Sequence, residues 1–282
     1  GVGKTTIIRA LTEIFSARKL KTILAAPTGR AAKRMSESTS RQAQTIHRLL
    51  KYNPQTNSFT CNAENPMDGD CFILDETSMM DIRLTDNFLQ ALPDTATLIL
   101  VGDTDQLPSV GPGNMLGDLI KSRAIPFCRL QTIFRQDNSG LIVRNAHRVN
   151  RGEMLELTNE SSDFYFVETD DQEKIIARVV SLMTDRIPRT FGFDPLNDIQ
   201  VLTPMRKNSL GYENMNAILQ KRLNPVGASI QRGSVIFRER DRVMQIRNNY
   251  DKEVFNGAVG FIKKVDIEDQ EIIVLFDGRP VK

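Results

Sequence analysis

Histidine and cysteine are scarce in this 282-residue chain, and their scarcity removes whole classes of chemistry. Two histidines (His47, His147) and three cysteines (Cys61, Cys71, Cys128) without C-x-x-C spacing argue against a zinc site. An odd cysteine count argues against a disulfide framework and for reduced thiols, as in a cytoplasmic protein. No run of about 18 apolar residues reaches membrane-spanning length, so no membrane partner is expected. An excess of charge is lacking too: 37 basic and 35 acidic residues leave a net +2. That balance neither demands nor excludes nucleic acid, because a basic groove can sit on a nearly neutral molecule. Internal repeats and low-complexity segments are absent.

What is present is the balance of a soluble globular protein, 40% hydrophobic and 26% charged, at a length that suits two domains. Residues 5–18 carry Ile7, Ile8, Leu11, Ile14 and Phe15 at helical spacing. "KTILAAPT" (21–28), "CFILDE" (71–76) and "ATLILVGD" (96–103) are apolar runs suited to buried strands, and "GRAAKRMSES" returns to helix formers. This alternation predicts a parallel sheet covered on both faces. Residues 51–70 are polar and rich in Asn, Pro and Gly, which predicts an inserted hairpin or loop. Beyond about residue 135, "DFYFVET" and "DIQVLTPM" are expected as strands, with helices at "QEKIIARVVSLMTDRI" and "GYENMNAILQKRL", forming a second α/β unit. From about residue 231 short strands and turns predict a small β-barrel module.

The chain opens "GVGKTT", the closing part of a G-x-x-x-x-G-K-[ST] phosphate loop whose first glycine would precede Gly1. The sequence is therefore expected to be a piece of a longer chain. Backbone N–H groups and a helix amino end favour an anion there. Lys4 would supply charge to terminal phosphates, and the Thr5 hydroxyl would ligate magnesium. "FILDETSMM" delivers Asp75 and Glu76 to a strand's carboxyl end, where they suit magnesium binding and polarisation of a water, or stand simply as solvated acids. In "VGDTDQLPSVGPGN", Gln106 is a neutral donor and acceptor able to touch both a γ-phosphate and that water.

In this order, "APTGRAAKRM", "TIHRLL", "LDETSMM", "GDTDQLPSVGPGN" and "IFRQ" resemble the motifs of superfamily 1B helicases, and more narrowly the RecD-like group. The resemblance runs from Gly1 to about Gly278. It implies an ATP- and Mg2+-dependent DNA helicase with two RecA-like lobes. Gly1, Val2, Gly3, Lys4, Thr5 and Thr6 then hold nucleotide, Thr5 and Asp75 hold magnesium, and Lys4, Asp75, Glu76, Gln106 and Arg135 carry the chemistry. Arg135 matches the arginine that completes the γ-phosphate site. Pro27, Thr28, Gly29, Arg30, Thr45 and His47 match segments that grip single-stranded DNA without reading sequence, although His47 serves equally as a structural histidine. Thr203 and Pro204 match a later motif, and Asn256 lies in a segment like the start of the family's SH3-like insertion, where a β-turn explains it equally well.

The implied domains are a first RecA-like lobe (1–135) carrying a pin-like hairpin (48–70), part of a second lobe (136–230), and an incomplete SH3-like insertion (231–282). Tyr52 or Phe59 could stack on a base at the duplex fork or merely tie the hairpin to its own domain. The family's last helicase motif and the upstream half of the phosphate loop fall outside the sequence. The resemblance implies 5′→3′ movement in recombination, repair or conjugation. Two alternatives remain: a P-loop ATPase that remodels DNA without unwinding it, and a catalytically dead single-strand-binding chain.

Overall fold

Helix α1 (Lys4–Ala17) buries Ile8 and Thr12, one turn apart on one face. It stops where Lys19 turns left-handed (φ 59°) and the Leu20 N–H reaches back to the Phe15 carbonyl, a closure that satisfies two late helical carbonyls. The computed structural model describes residues 3–53, 55–130, 140–158, 163–249, 251–252 and 254–282. It divides into two compact units, Gly1–Phe166 and Val167–Lys282.

In the first unit, β1 (Thr22–Ala26), α2 (Gly29–Thr39), β2 (Ala43–Thr45) and α3 (Ile46–Leu49) follow α1. A two-strand hairpin of β3 (Tyr52–Asn53) and β4 (Ser58–Phe59) comes next, then β5 (Cys71–Leu74), a 3-10 turn at Thr77–Met79, α4 (Ile82–Gln90), β6 (Thr97–Leu100), α5 (Met115–Ser122) and α6 (Leu141–Asn150). The sheet is parallel throughout, in the order β2-β1-β5-β6. Its inner strands β1 and β5 are largely buried on both faces, which is why they read as unbroken apolar runs. Leu24, Cys71 and Ile73 pack with Ile8 of α1 and Met35 of α2. The alternate residues Ala25, Phe72 and Leu74 pack with Ile46, Phe88, Met115 and Leu116. Cys61 and Met67, from the polar stretch after the hairpin, are buried in this second cluster and anchor the insertion.

In the second unit, α7 (Gln172–Ser181) runs through a π-helical turn at Leu182–Arg186 into α8 (Ile187–Phe191). The wide turn falls just before Pro188, which has no N–H to offer the preceding turn. Helix α9 (Tyr212–Leu223) leads into β7 (Ser229–Arg232), β8 (Val235–Arg238), β9 (Arg242–Met244), β10 (Val259–Asp266), β11 (Glu271–Phe276) and β12 (Arg279–Val281). β7 and β8 pair with each other, and an antiparallel sheet runs β12-β11-β10-β9. Ile230, Val254, Ile262, Val265, Val274 and Phe276 form its core.

One expectation fails here. Among the described residues no second parallel sheet forms, and 163–169 and 198–205 run irregularly rather than as strands. Their apolar side chains stay largely in solvent: Tyr165 is 55% exposed and Leu202 87%. Apolar, β-branched composition favours a strand only beside another strand, and among the described residues neither segment pairs with one; the Ile199 carbonyl, for example, accepts from the Arg242 side chain instead.

The second unit is pinned by Asp241, whose carboxylate accepts from Gln220 Nε2 and Asn224 Nδ2 of the α9 end and from the Arg238 N–H. Asn224 is itself only 4% exposed. Asp241→Ala strips an acceptor from three donors at once. Gln220 and Asn224 keep bonds to the Ile236 and Glu239 carbonyls, so the Arg238 N–H is the donor left without its partner, and the chain is expected to be destabilised by about 1–3 kcal/mol in urea unfolding. An unchanged unfolding midpoint would contradict this account of the joint.

Candidate active site

The strand register decides where the chemistry-bearing residues emerge. Ala25 lies opposite Leu74, and Leu74 opposite Leu100. The ladder continues one residue further, with Asp75 N–H donating to the Ala25 carbonyl and Val101 N–H to that of Leu74. Three strands thus end level, and the loops beginning at Pro27, Asp75 and Gly102 leave from one edge. The order also reverses at β1, with β2 on one side and β5 on the other. In open α/β sheets the crevice beyond such a switch point is where ligands bind.

Helix α1 brings the phosphate-loop residues to the same edge. Only residues 18–21 join it to β1, so it runs antiparallel to the strand, and its amino end lies toward the carboxyl ends of the sheet. Its N-cap, Gly3, holds φ +90° with no side-chain cap, and the first turn contains no acid. The leading N–H groups and the helix dipole are left for an anion. Lys4 is half-buried, and Thr5 and Thr6 are exposed. Gly1 and Val2 lie outside the described residues.

Asp75 Oδ1 accepts from the Glu76 N–H at 2.8 Å. Glu76 is left-handed (φ 52°, ψ 37°), a strained conformation for a residue with a Cβ. The turn that follows is clamped to the end of β6, because both the N–H and the Oγ1 of Thr77 donate to the Val101 carbonyl. Glycine is required opposite: a Cβ on Gly102 would lie 2.6 Å from Leu116 Cδ2 and 2.8 Å from Thr77 Oγ1. Glu76 Oε2 and Ser78 Oγ are buried without a hydrogen-bond partner. Gln106 is exposed, held by its N–H to the Asp103 carbonyl and by a long 3.4 Å bond from Nε2 to Asp103 Oδ2. Its loop is braced further on, where Ile82 N–H donates to the Pro112 carbonyl and Gly111 lies against Asp81. Arg135 falls outside the described residues.

Among the described residues no three carboxylates, imidazoles or thiolates gather into a metal cage. A nucleotide-bound magnesium asks for less: one or two protein oxygens, the remaining positions going to phosphate and water. The exposed Thr5 hydroxyl and the Asp75 carboxylate are hard oxygen donors of that kind.

The residues expected to meet DNA fall into two groups. In the first unit, Thr28 follows Pro27 and caps α2, its Oγ1 accepting from the Ala31 N–H; Gly29 is buried and Arg30 exposed. Thr45 is buried, and its hydroxyl caps α3 through the Arg48 N–H. His47 packs with the hairpin, its ring centroid 5.7 Å from that of Tyr52 and 5.8 Å from that of Phe59. Tyr52 and Phe59, a cross-strand pair, are 5.3 Å apart, so these aromatics tie the hairpin to its own domain. In the second unit, Thr203 Oγ1 donates to the Leu210 carbonyl, Pro204 is exposed, and the N–H of exposed Asn256 donates to Asn248 Oδ1. The clamp made by Thr77, Ser78 and Gly102 escaped sequence reasoning. Its only trace there is a small polar pair after the acids and a glycine before Asp103.

The AAA domain family matches residues 1–112, and the ATP-dependent RecD-like DNA helicase SH3 domain matches 215–276. The chain is 38% identical over its whole length to the ATP-dependent RecD2 DNA helicase of Deinococcus radiodurans, spanning 37% of that protein. It is 25% identical over 92% of its length to the RecBCD enzyme subunit RecD of Haemophilus influenzae, spanning 54% of it. In fold it is similar to a structure of Bacteroides Pif1 bound to single-stranded DNA, with TM-score 0.54, 19% identity, and coverage of all of this chain and 68% of that one.

Burial holds the His47 imidazole below its ordinary value of 6.5, with nearby Asp81 opposing the shift. Between the folded and unfolded values the unfolded state binds more protons. Stability is therefore full above about pH 6.5 and declines as pH falls through that value toward the folded one. Melting temperature measured from about pH 7.5 to 5 should fall in the wild type and fall less in His47→Gln, where this titration is absent. Parallel profiles for the two proteins would show that His47 does not contribute.

Proposed function

Since the chain is a homologue of the RecD-like ATP-dependent DNA helicases, we propose that it forms the motor core of one. It would couple ATP hydrolysis to translocation on single-stranded DNA and to duplex unwinding. The observation that carries this reading is the level sheet edge, where one register presents the loops of Asp75, Glu76 and Gln106 beside the open amino end of α1.

Gly3, Lys4, Thr5 and Thr6 receive the nucleotide, completed by Gly1 and Val2. Thr5 and Asp75 hold magnesium, which neutralises phosphate charge when bound. Lys4 pairs with the terminal phosphates. Glu76 takes a proton from the attacking water as its oxygen bonds to the γ-phosphorus and the bridging bond to ADP breaks. Gln106 orients that water, and Arg135 meets the charge that builds on the transferred group.

Translocation needs a grip on phosphates that ignores sequence. Arg30 supplies charge, and Pro27, Thr28 and Gly29 supply small groups at the start of α2. Thr45 acts by setting α3, and His47 by fixing the hairpin at the fork. In the second unit, which we read as part of the second RecA-like lobe with its SH3-like insertion, Thr203, Pro204 and Asn256 are the residues we assign to DNA contact. Direction 5′→3′ and service in recombination, repair or conjugation follow from the family resemblance.

Lys4→Ala in the whole protein is expected to abolish ATP turnover while leaving oligonucleotide affinity within about twofold, since it removes a phosphate contact and no DNA contact. DNA-stimulated turnover persisting in that variant would refute the site. Shortening the hairpin between Tyr52 and Phe59 should stop unwinding but spare DNA-stimulated ATPase. Unwinding at the wild-type rate would instead favour a motor that parts strands by other means.

A further inference from the structure

Among the described residues two buried side-chain oxygens take no hydrogen bond, Glu76 Oε2 and Ser78 Oγ, and they stand two residues apart on one turn. Leaving such groups unpaired costs stability, about 1–3 kcal/mol each, so a fold retains them where something else uses them. Their chemistry is complementary: a carboxylate oxygen accepts, and a hydroxyl donates. Ser78 is only 8% exposed.

The turn that carries them has little freedom. Thr77 is bonded twice to the Val101 carbonyl, Met79 N–H returns to the Glu76 carbonyl, and Met80 N–H to that of Thr77. Gly102, just past the end of β6, lies close against the turn, since a Cβ there would be 3.2 Å from the Ser78 nitrogen. The left-handed backbone of Glu76 completes the constraint. The backbone is fixed, and the two side chains are what remains to be settled.

We propose that Ser78 is a positioning residue for Glu76. Its hydroxyl donates to the carboxylate, directly or through one water, and holds it toward the attacking water once nucleotide is bound. This rests on the reading of Glu76 as the group that accepts the water's proton.

The test is steady-state ATP hydrolysis by the whole protein at saturating single-stranded oligonucleotide. Ser78→Ala should lower kcat by about tenfold, the worth of one such hydrogen bond. KM for ATP and oligonucleotide affinity should not change, and the melting temperature should hold or rise, because an unpaired buried hydroxyl has gone. Ser78→Thr, which keeps the hydroxyl, should recover most of the rate. Wild-type kcat in Ser78→Ala would overturn the proposal. So would a lower rate accompanied by a raised KM and a lower melting temperature, the signature of a structural role. Glu76→Gln separates the two levels: if that variant turns over normally, the assignment of Glu76 itself is wrong.

Discussion

The backbone ladder joining β1, β5 and β6 is the constraint on which the first unit's chemistry rests. Parallel strands bury both faces, and here Cys71, Phe72, Ile73 and Leu74 are all fully buried, with alternate residues facing opposite helix layers. A slip of one residue would exchange the two faces and bury the wrong side chains. With the register so fixed, Asp75 must emerge beside the end of β1, and Val101 beside Asp75. The acids owe their position to the apolar residues before them.

The second constraint is the contact between the 77–79 turn and Gly102. It converts a strand end bearing two acids into a rigid platform, with Glu76 strained and the loop of Gln106 starting next to it. In the second unit the corresponding role falls to Asp241, which ties α9 to the β-rich module. The RecD-like SH3 domain match begins within α9, so helix and strands belong to one recognisable module.

How much was legible in the sequence follows from the kind of force involved. β1 and β5 are largely buried and β6 half-buried, and a run such as Ile23, Leu24, Ala25, Ala26 announces that. β2, only Ala43, Gln44 and Thr45, has no apolar signal and exists because β1 offers it an edge. The segments at 163–169 and 198–205 show the converse, apolar composition without an edge to join. Lys4, Asp75 and Glu76 were readable as candidates because phosphate and magnesium chemistry dictates residue type and spacing. Ser78 and Gly102 were not, because their roles arise from packing between elements far apart in the chain. Thr45 and His47 were found as motif residues, and the structure adds their local duties, capping α3 and seating the hairpin.

The central claim is that the level edge of the sheet is a working ATP site driven by DNA. The most direct measurement is the rate of ATP hydrolysis by the whole wild-type protein, with and without a single-stranded oligonucleotide. The account predicts slow turnover alone and a rise of at least about tenfold with DNA, as expected when DNA binding completes the catalytic arrangement. Tight nucleotide binding without hydrolysis at saturating DNA would contradict it.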